Sequence, residues 1–524
     1  VSAAAEEGHD SDVVRRIGLA AGVVVALGLQ LLPVPDGLSP EGWVVASLGL
    51  LMAIWWATEA IPIPATSLLP LVVLPATGVL DLEDAAAPFA NSNVLLLMGG
   101  FIIALGLERS GLHARIALNV VARAGGKPRA LIFGFMVAAA LISMWISNSA
   151  TTLMLFPIAL SVARAEAGER GMNGPFPVAL LLSVAYAASI GGMVTPVGTP
   201  PNLIAIGYLE QNAGVSISFP QWIALGLPTA VLLLPAAWLV LTRFALKVER
   251  VGAPGAAAEV RARLAALGRI TTPEMRVGFV FATVAAAWIL RQPTLDLVIG
   301  VLESHRDALA AAGEAMRAAR VENALVHWGR MNGGQSDAVI AISGALALFL
   351  IPAGGRKGAP GGLERGALMN WETATRIPWG VLLLYGGGLS LAAAIRTTGL
   401  AEWLGGEMGV LTTLPPVVIA LVLVTVIVFL TELTSNAATV TAFMPVVGAL
   451  ALQGDINPVL LAAPVAIAGS CAFMFPVATP PNAIVYGSGH VPMAAMMRAG
   501  FRLNLIAIPI VTLTTAFLAP LVFG

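Results

Sequence analysis

Long apolar runs dominate the chain, and short polar stretches punctuate them. A helix needs about 20 apolar residues to cross a bilayer. Runs of that kind lie near 15–34, 42–58, 62–80, 93–109, 219–244, 275–291, 336–352, 379–396 and 502–522. Four other segments, 130–146, 151–165, 413–433 and 439–452, some of them too short to span comfortably, come in pairs around two polar phrases, and each pair is expected to form a re-entrant hairpin with the phrase at its tip. Two further segments, 177–209 and 458–489, are interrupted by PVGTPPN (Pro196–Asn202) and PVATPPN (Pro476–Asn482). A double proline removes backbone donors and disfavours helix just before it, so each should be a broken helix. The predicted fold is an all-α polytopic membrane protein with about eleven spans, two re-entrant hairpins and two broken helices. The apolar run 17–32 has no small-residue cleavage site after it and reads as a retained first span.

Composition agrees: 58% of the 524 residues are hydrophobic and 11% are charged, against about 25% charged in soluble domains. The lipid bilayer is the solvent. A net charge of −1 gives no nucleic-acid footprint. The one cysteine, Cys471, excludes an internal disulfide and reads as a small core hydrophobe. Lys and Arg concentrate in 113–129, 245–276 and 353–378, while the loops around Asp36, Asp81–Asp84 and Glu210 lack them. The positive-inside rule then places the N-terminus in the cytoplasm and the C-terminus outside. Residues 292–335, Ala-rich and mixed in charge, read as an amphipathic insertion on the outer side.

The polar phrases repeat. Ser147-Asn148-Ser149-Ala150-Thr151 returns as Ser435-Asn436-Ala437-Ala438-Thr439, with Pro157 matched by Pro445 at the same offset. Gly198-Thr199-Pro200-Pro201-Asn202 returns as Ala478-Thr479-Pro480-Pro481-Asn482, and LLLMGG (Leu95–Gly100) returns as LLLYGG (Leu382–Gly387). The predicted topology inserts the two copies in opposite senses, an arrangement common in secondary transporters. Non-helical backbone survives at membrane depth only where protein or a wet cavity surrounds it. Two facing hairpin tips and two helix breaks would line such a cavity with neutral Ser, Thr and Asn groups. Helix N-termini beginning there favour an anion, and freed carbonyls with side-chain oxygens suit Na⁺. The simplest alternative for a Ser-Asn pair is glue between helices. Glu432 stands alone beside the second tip with a structural or a coupling role open, the glycine pairs near Gly99 and Gly386 read as close helix contacts, and Glu59 reads as an interface anchor.

These phrases, with WWATEAIPIP (Trp55–Pro64), SMWISN (Ser143–Asn148) and NWETATRIPWGVLLLYGGG (Asn370–Gly388), resemble those of the divalent anion:sodium symporter family, from about Trp43 to the C-terminus apart from 292–335. The resemblance implies a homodimer in the inner (plasma) membrane that couples Na⁺ to a small divalent anion through an elevator motion. It divides the chain into N-terminal scaffold helices 1–92, a scaffold span and arm 93–129, a first transport half 130–245, a cytoplasmic linker 246–274, scaffold spans 275–378 carrying the insertion, a second span and arm 379–412, and a second transport half 413–524. It places one Na⁺ at Ser143, Ser147, Asn148 and Gly198, and another at Thr431, Thr434, Asn436 and Ala478. The anion is expected against Asn148, Ser149, Thr199 and Pro200 of the first half and Asn436, Ala437, Thr479 and Pro480 of the second. Ser149 keeps a hydroxyl where the family has threonine; Ala437 has none. The implied activity is Na⁺-coupled uptake of a C4-dicarboxylate, with sulfate next. Na⁺-independent exchange, an anion channel or an intramembrane enzyme are the competing readings. The five histidines fall in tails, loops or span ends, away from the serines, so no catalytic group is expected.

Overall fold

A computed structural model describes residues 2–167, 171–172, 174–249, 254–330, 334–355, 363, 366–409 and 411–523. The described residues are predominantly helical and form no strand, with one isolated bridge between Pro352 and Ala367. Among them, nine helices are long and apolar enough to cross a membrane. Helix ends follow local chemistry. Ser39 Oγ accepts from Gly42 N at 3.0 Å ahead of Pro40–Thr58, and Asn91 Oδ1 accepts from Asn93 N at 2.8 Å ahead of Ser92–Ser110. Thr271 and Glu274 form a capping box at the start of Thr272–Ala311. Glu59 ends Pro40–Thr58 in the left-handed conformation, and its carbonyl accepts from Arg15 Nε at 3.0 Å.

Three features differ from the sequence expectation. The run near 62–80 is two short helices, Ile63–Thr66 and Leu69–Ala76, because Pro64, Pro70 and Pro75 deny the backbone a continuous ladder. The span expected to end near 291 continues through Pro293 to Ala311 as one 40-residue helix. Ala315–Arg330 then packs back along it, tied by Arg306 Nη1 to Glu322 Oε2 at 3.0 Å, so the described part of the insertion is a helical hairpin. The linker 246–274 contains the helix Pro254–Ala266, docked on the arm Asn148–Ala167. Glu259 accepts from Ser161 Oγ at 2.5 Å and from Arg263 Nε at 2.7 Å, which hold its carboxyl below the usual carboxylate range.

Both expected hairpins and both breaks are present. The arms are Pro128–Ser143 with Asn148–Ala167, and Pro416–Leu430 with Asn436–Gln453. The first arms, 16 and 15 residues long, rise only about 24 Å at 1.5 Å per residue, short of a hydrocarbon layer about 30 Å thick. The broken helices are Pro175–Gly192 with Pro200–Ala213, and Val459–Ala468 with Pro480–Tyr486. Pro175–Gly192 is 94% buried and forms the centre of the molecule. The halves interlock reciprocally. Pro200–Ala213 lies against Asn436–Gln453 and Val459–Ala468, while Pro480–Tyr486 lies against Asn148–Ala167 and Pro175–Gly192. Thr229 and Thr514, on the two closing spans, share a hydrogen bond of 2.8 Å.

The glycine pairs are close contacts. A Cβ on Gly99 would fall 2.6 Å from the carbonyl carbon of Ala341, and one on Gly387 would fall 2.1 Å from Ser67 O. Gly406 has open space around it. Forcing one methyl against fixed backbone costs about 1–3 kcal/mol, so Gly387→Ala should lower the melting temperature of the detergent-purified protein. Gly406→Ala should leave it unchanged or raise it; equal melting of the two variants would contradict this packing.

Candidate functional site

Each hairpin is bonded across its own tip, in the same way in both halves. Ser143 Oγ donates to Asn148 Oδ1 at 2.7 Å. Thr431 Oγ1 donates to Asn436 Oδ1 and also reaches Gly469 O at 3.3 Å. The tip asparagines are half-buried, while Ser143 and Thr431 are fully buried. Asn148 then opens the arm Asn148–Ala167, and Asn436 opens Asn436–Gln453. The N–H groups of both arms therefore point toward the tips, a setting that favours negative charge.

The helix breaks repeat as closely. Asn202 Nδ2 donates to Gly192 O at 3.0 Å and Thr195 O at 2.7 Å. Asn482 Nδ2 donates to the equivalent carbonyls, Ala472 O at 3.2 Å and Phe475 O at 3.1 Å. Each asparagine staples carbonyls that a continuous helix would have satisfied. The next spans approach both breaks through glycine. A Cβ on Gly226 would sit 2.5 Å from Met193 O, and one on Gly500 would sit 2.2 Å from Phe473 O. The Oδ1 atoms of Asn202 and Asn482 are buried and have no donor.

Tip and break meet in the first half. Thr195 Oγ1 donates to Met144 O, and a Cβ on Gly192 would lie 2.3 Å from Asn148 Oδ1. Gly198 is equally close to Gly192, its notional Cβ 2.4 Å from Gly192 O. Ser143, Asn148 and Gly198 are thus one cluster. Ser147 Oγ instead accepts from Ala150 N at 3.3 Å, within its own hairpin arm. In the second half Thr434 bonds Leu430 O at 2.9 Å and Thr439 Oγ1 at 2.6 Å, also within its own hairpin. Thr199, Thr479, Gly198, Ala437 and Ala478 are buried, Ser149 and Pro200 half-buried and Pro480 exposed. No hydrogen bond joins Asn148 to Asn436 among the described residues.

The two halves are braced differently. Trp145, beside the first tip, stacks on Phe219 at 5.9 Å and Trp288 at 6.3 Å. Glu432 does the equivalent work in the second half. Its Oε1 accepts from Phe473 N at 2.7 Å and Met474 N at 2.9 Å, its Oε2 from Met474 N at 3.0 Å and Phe475 N at 3.1 Å. Asn504 Nδ2 adds a donor to Oε1 at 2.7 Å. Glu432, 1% exposed, is a clamp on the unwound backbone. Its partners are far away in sequence, and only its isolation in an apolar stretch marks it there. The stapling role of Asn202 and Asn482 also escapes a sequence reading, although their matched positions after each Pro-Pro are visible.

The family model for the sodium:sulfate symporter transmembrane region matches residues 14–523. The chain belongs to this family, the divalent anion:sodium symporters. Among its relatives, the sodium-dependent dicarboxylate transporter SdcS of Staphylococcus saprophyticus is 37% identical, over 99% of this chain and 94% of the relative. SdcS of Staphylococcus aureus is 36% identical, over 97% of this chain and 92% of the relative. The fold matches the Alcanivorax borkumensis YdaH transporter with a TM-score of 0.51 at 15% identity, over 91% of this chain and 99% of that one. This symporter-family protein is therefore a multi-pass membrane transporter.

Removing the Glu432 side chain would strand three backbone N–H groups and the Asn504 amide. Each hydrogen bond to a carboxylate contributes about 1.5–3 kcal/mol. Glu432→Ala should fail to accumulate as folded protein or melt far below wild type, while Glu432→Gln, which keeps one acceptor, should be milder. A wild-type melting curve for Glu432→Ala would rule out the clamp.

Proposed function

We propose that this transporter carries a C4-dicarboxylate into the cell together with Na⁺. The observation that carries the reading is the repeated tip-and-break unit, built from neutral oxygens and helix N-termini with no lysine or arginine in either phrase. Such a site attracts an anion yet depends on accompanying cations to balance it. The donorless Oδ1 atoms of Asn202 and Asn482 are spare oxygens of the type a hard cation takes. The dicarboxylate specificity named for the SdcS relatives supports the choice of substrate.

One Na⁺ is held by Ser143, Ser147, Asn148 and the backbone at Gly198, the other by Thr431, Thr434, Asn436 and the backbone at Ala478. The anion lies between the tips, touching Asn148, Ser149, Thr199, Pro200, Asn436, Ala437, Thr479 and Pro480. Excess Na⁺ makes entry electrogenic, and the membrane potential then contributes about 2.3 kcal/mol per charge per 100 mV. The halves 130–245 and 413–524 move as an elevator against the remaining spans, in a homodimer of the inner membrane. The N-terminus is cytoplasmic and the C-terminus outside, as the positive loops favour. A second reading, sulfate as substrate, is favoured by Ala437, which offers no hydroxyl to the far carboxylate of a longer anion.

In proteoliposomes, inward succinate uptake should require a Na⁺ gradient and fail with K⁺. Asn148→Ala and Asn436→Ala should each abolish uptake while keeping the wild-type elution profile, and near-normal transport by either would overturn the site. Ala437→Thr should raise the preference for succinate over sulfate severalfold; an unchanged ranking removes this position from selectivity.

A further inference from the structure

The first hairpin arm Pro128–Ser143 meets the end of the span Phe219–Leu239 around a cavity of about 520 Å³. Lys127, Arg129, Phe133, Pro235, Trp238 and Arg243 line it, and no carboxylate does among the described residues. Its walls are fixed. Trp238 Nε1 donates to Arg129 O at 2.8 Å, and the indole meets Phe133 edge-on at 5.8 Å. Arg129 Nε and Nη2 donate to Val248 O at 2.8 and 2.6 Å. The span ends in a π-helical turn, Val240–Ala245, whose Phe244 carbonyl accepts from Arg502 Nη1 at 3.4 Å. Such turns shift side chains out of α-helical register and are common at functional sites. Here the turn carries Arg243 to the cavity. Lys127 and Arg243 are exposed, and neither side chain is held by a hydrogen bond or ion pair among the described residues.

The flank of this cavity is apolar and open. Phe133 in its lining is 36% exposed; Val231 and Leu232, one helical turn before Pro235 on the same face, are 58% and 51% exposed, and Phe244, next to Arg243, is 61% exposed. A soluble anion would use the cations and leave that flank bare. An amphiphile with an anionic head and hydrocarbon tails matches both halves of the surface.

We propose that the cavity binds the phosphate headgroup of an anionic glycerophospholipid from the leaflet at this end of the bundle. Lys127 and Arg243 meet the phosphate oxygens. Trp238, its N–H already committed, lends its ring to the glycerol region, and the acyl chains run along Val231 and Leu232. The lipid thereby bridges the entry of the first hairpin and the closing span of the same half.

Native mass spectrometry of the detergent-purified full chain, titrated with phosphatidylglycerol or phosphatidylcholine, tests this. Wild type should retain phosphatidylglycerol in preference. Lys127→Gln and Arg243→Gln should each weaken retention about fivefold, and the double variant about 25-fold. Arg243→Lys should keep most of it. Arg261→Gln, an exposed cation on the linker helix outside the cavity, should change nothing. Thermal melting monitors folding, and both glutamine variants should melt with wild type because their side chains are exposed. Equal retention of the two lipids, an unchanged double variant, or displacement by millimolar inorganic phosphate would each overturn the proposal, the last by assigning the cavity to a soluble anion.

Discussion

Hydrocarbon supplies no water to a backbone that leaves its helix, so every freed N–H and C=O at membrane depth must find a partner within the protein. The architecture of this transporter follows from meeting that demand four times, at two hairpin tips and two helix breaks. One hydroxyl closes onto one asparagine at each tip, and one asparagine amide gathers two carbonyls at each break. Once those groups are satisfied, the remaining oxygens and the helix N-termini are free to face a solute. The same bonds that let the chain stop in mid-membrane leave it with something to offer an ion.

The repetition is close but not complete, and the difference is informative. The second break is longer, running from Gly469 to Thr479, and Glu432 gathers its amides. The first break is shorter and needs no carboxylate; the tip beside it rests on a stack of aromatic rings instead. Because each post-break helix packs on the opposite half, neither half completes its surroundings alone. A change at one break therefore reaches the tip of the other copy through helix packing.

Much of this was legible in the chain. The two Ser-Asn phrases and the two Pro-Pro-Asn phrases, recurring in the same order in both halves, exposed the duplication, and the double prolines marked the breaks. Continuous hydrophobicity hid other features. Pro64, Pro70 and Pro75 sat in an apolar run that looked like an ordinary span, yet they divide it. Conversely, the mixed charge after residue 291 looked like the end of a span, but the helix runs on to Ala311 with Ala315–Arg330 packed along it. The glycine contacts that seat Asn148 beside Gly192 and the spans against each break depend on distances between segments remote in sequence. No local pattern encodes them.

The 40-residue rod Thr272–Ala311, at about 60 Å, is roughly twice as long as the hydrocarbon layer is thick. Some 30 Å of it stands clear of the lipid, stiffened by the helix folded back along it. Most of a compact transporter disappears into its detergent belt in projection images. This mast does not, and it gives electron microscopy a built-in fiducial for aligning particles and telling one face of the molecule from the other.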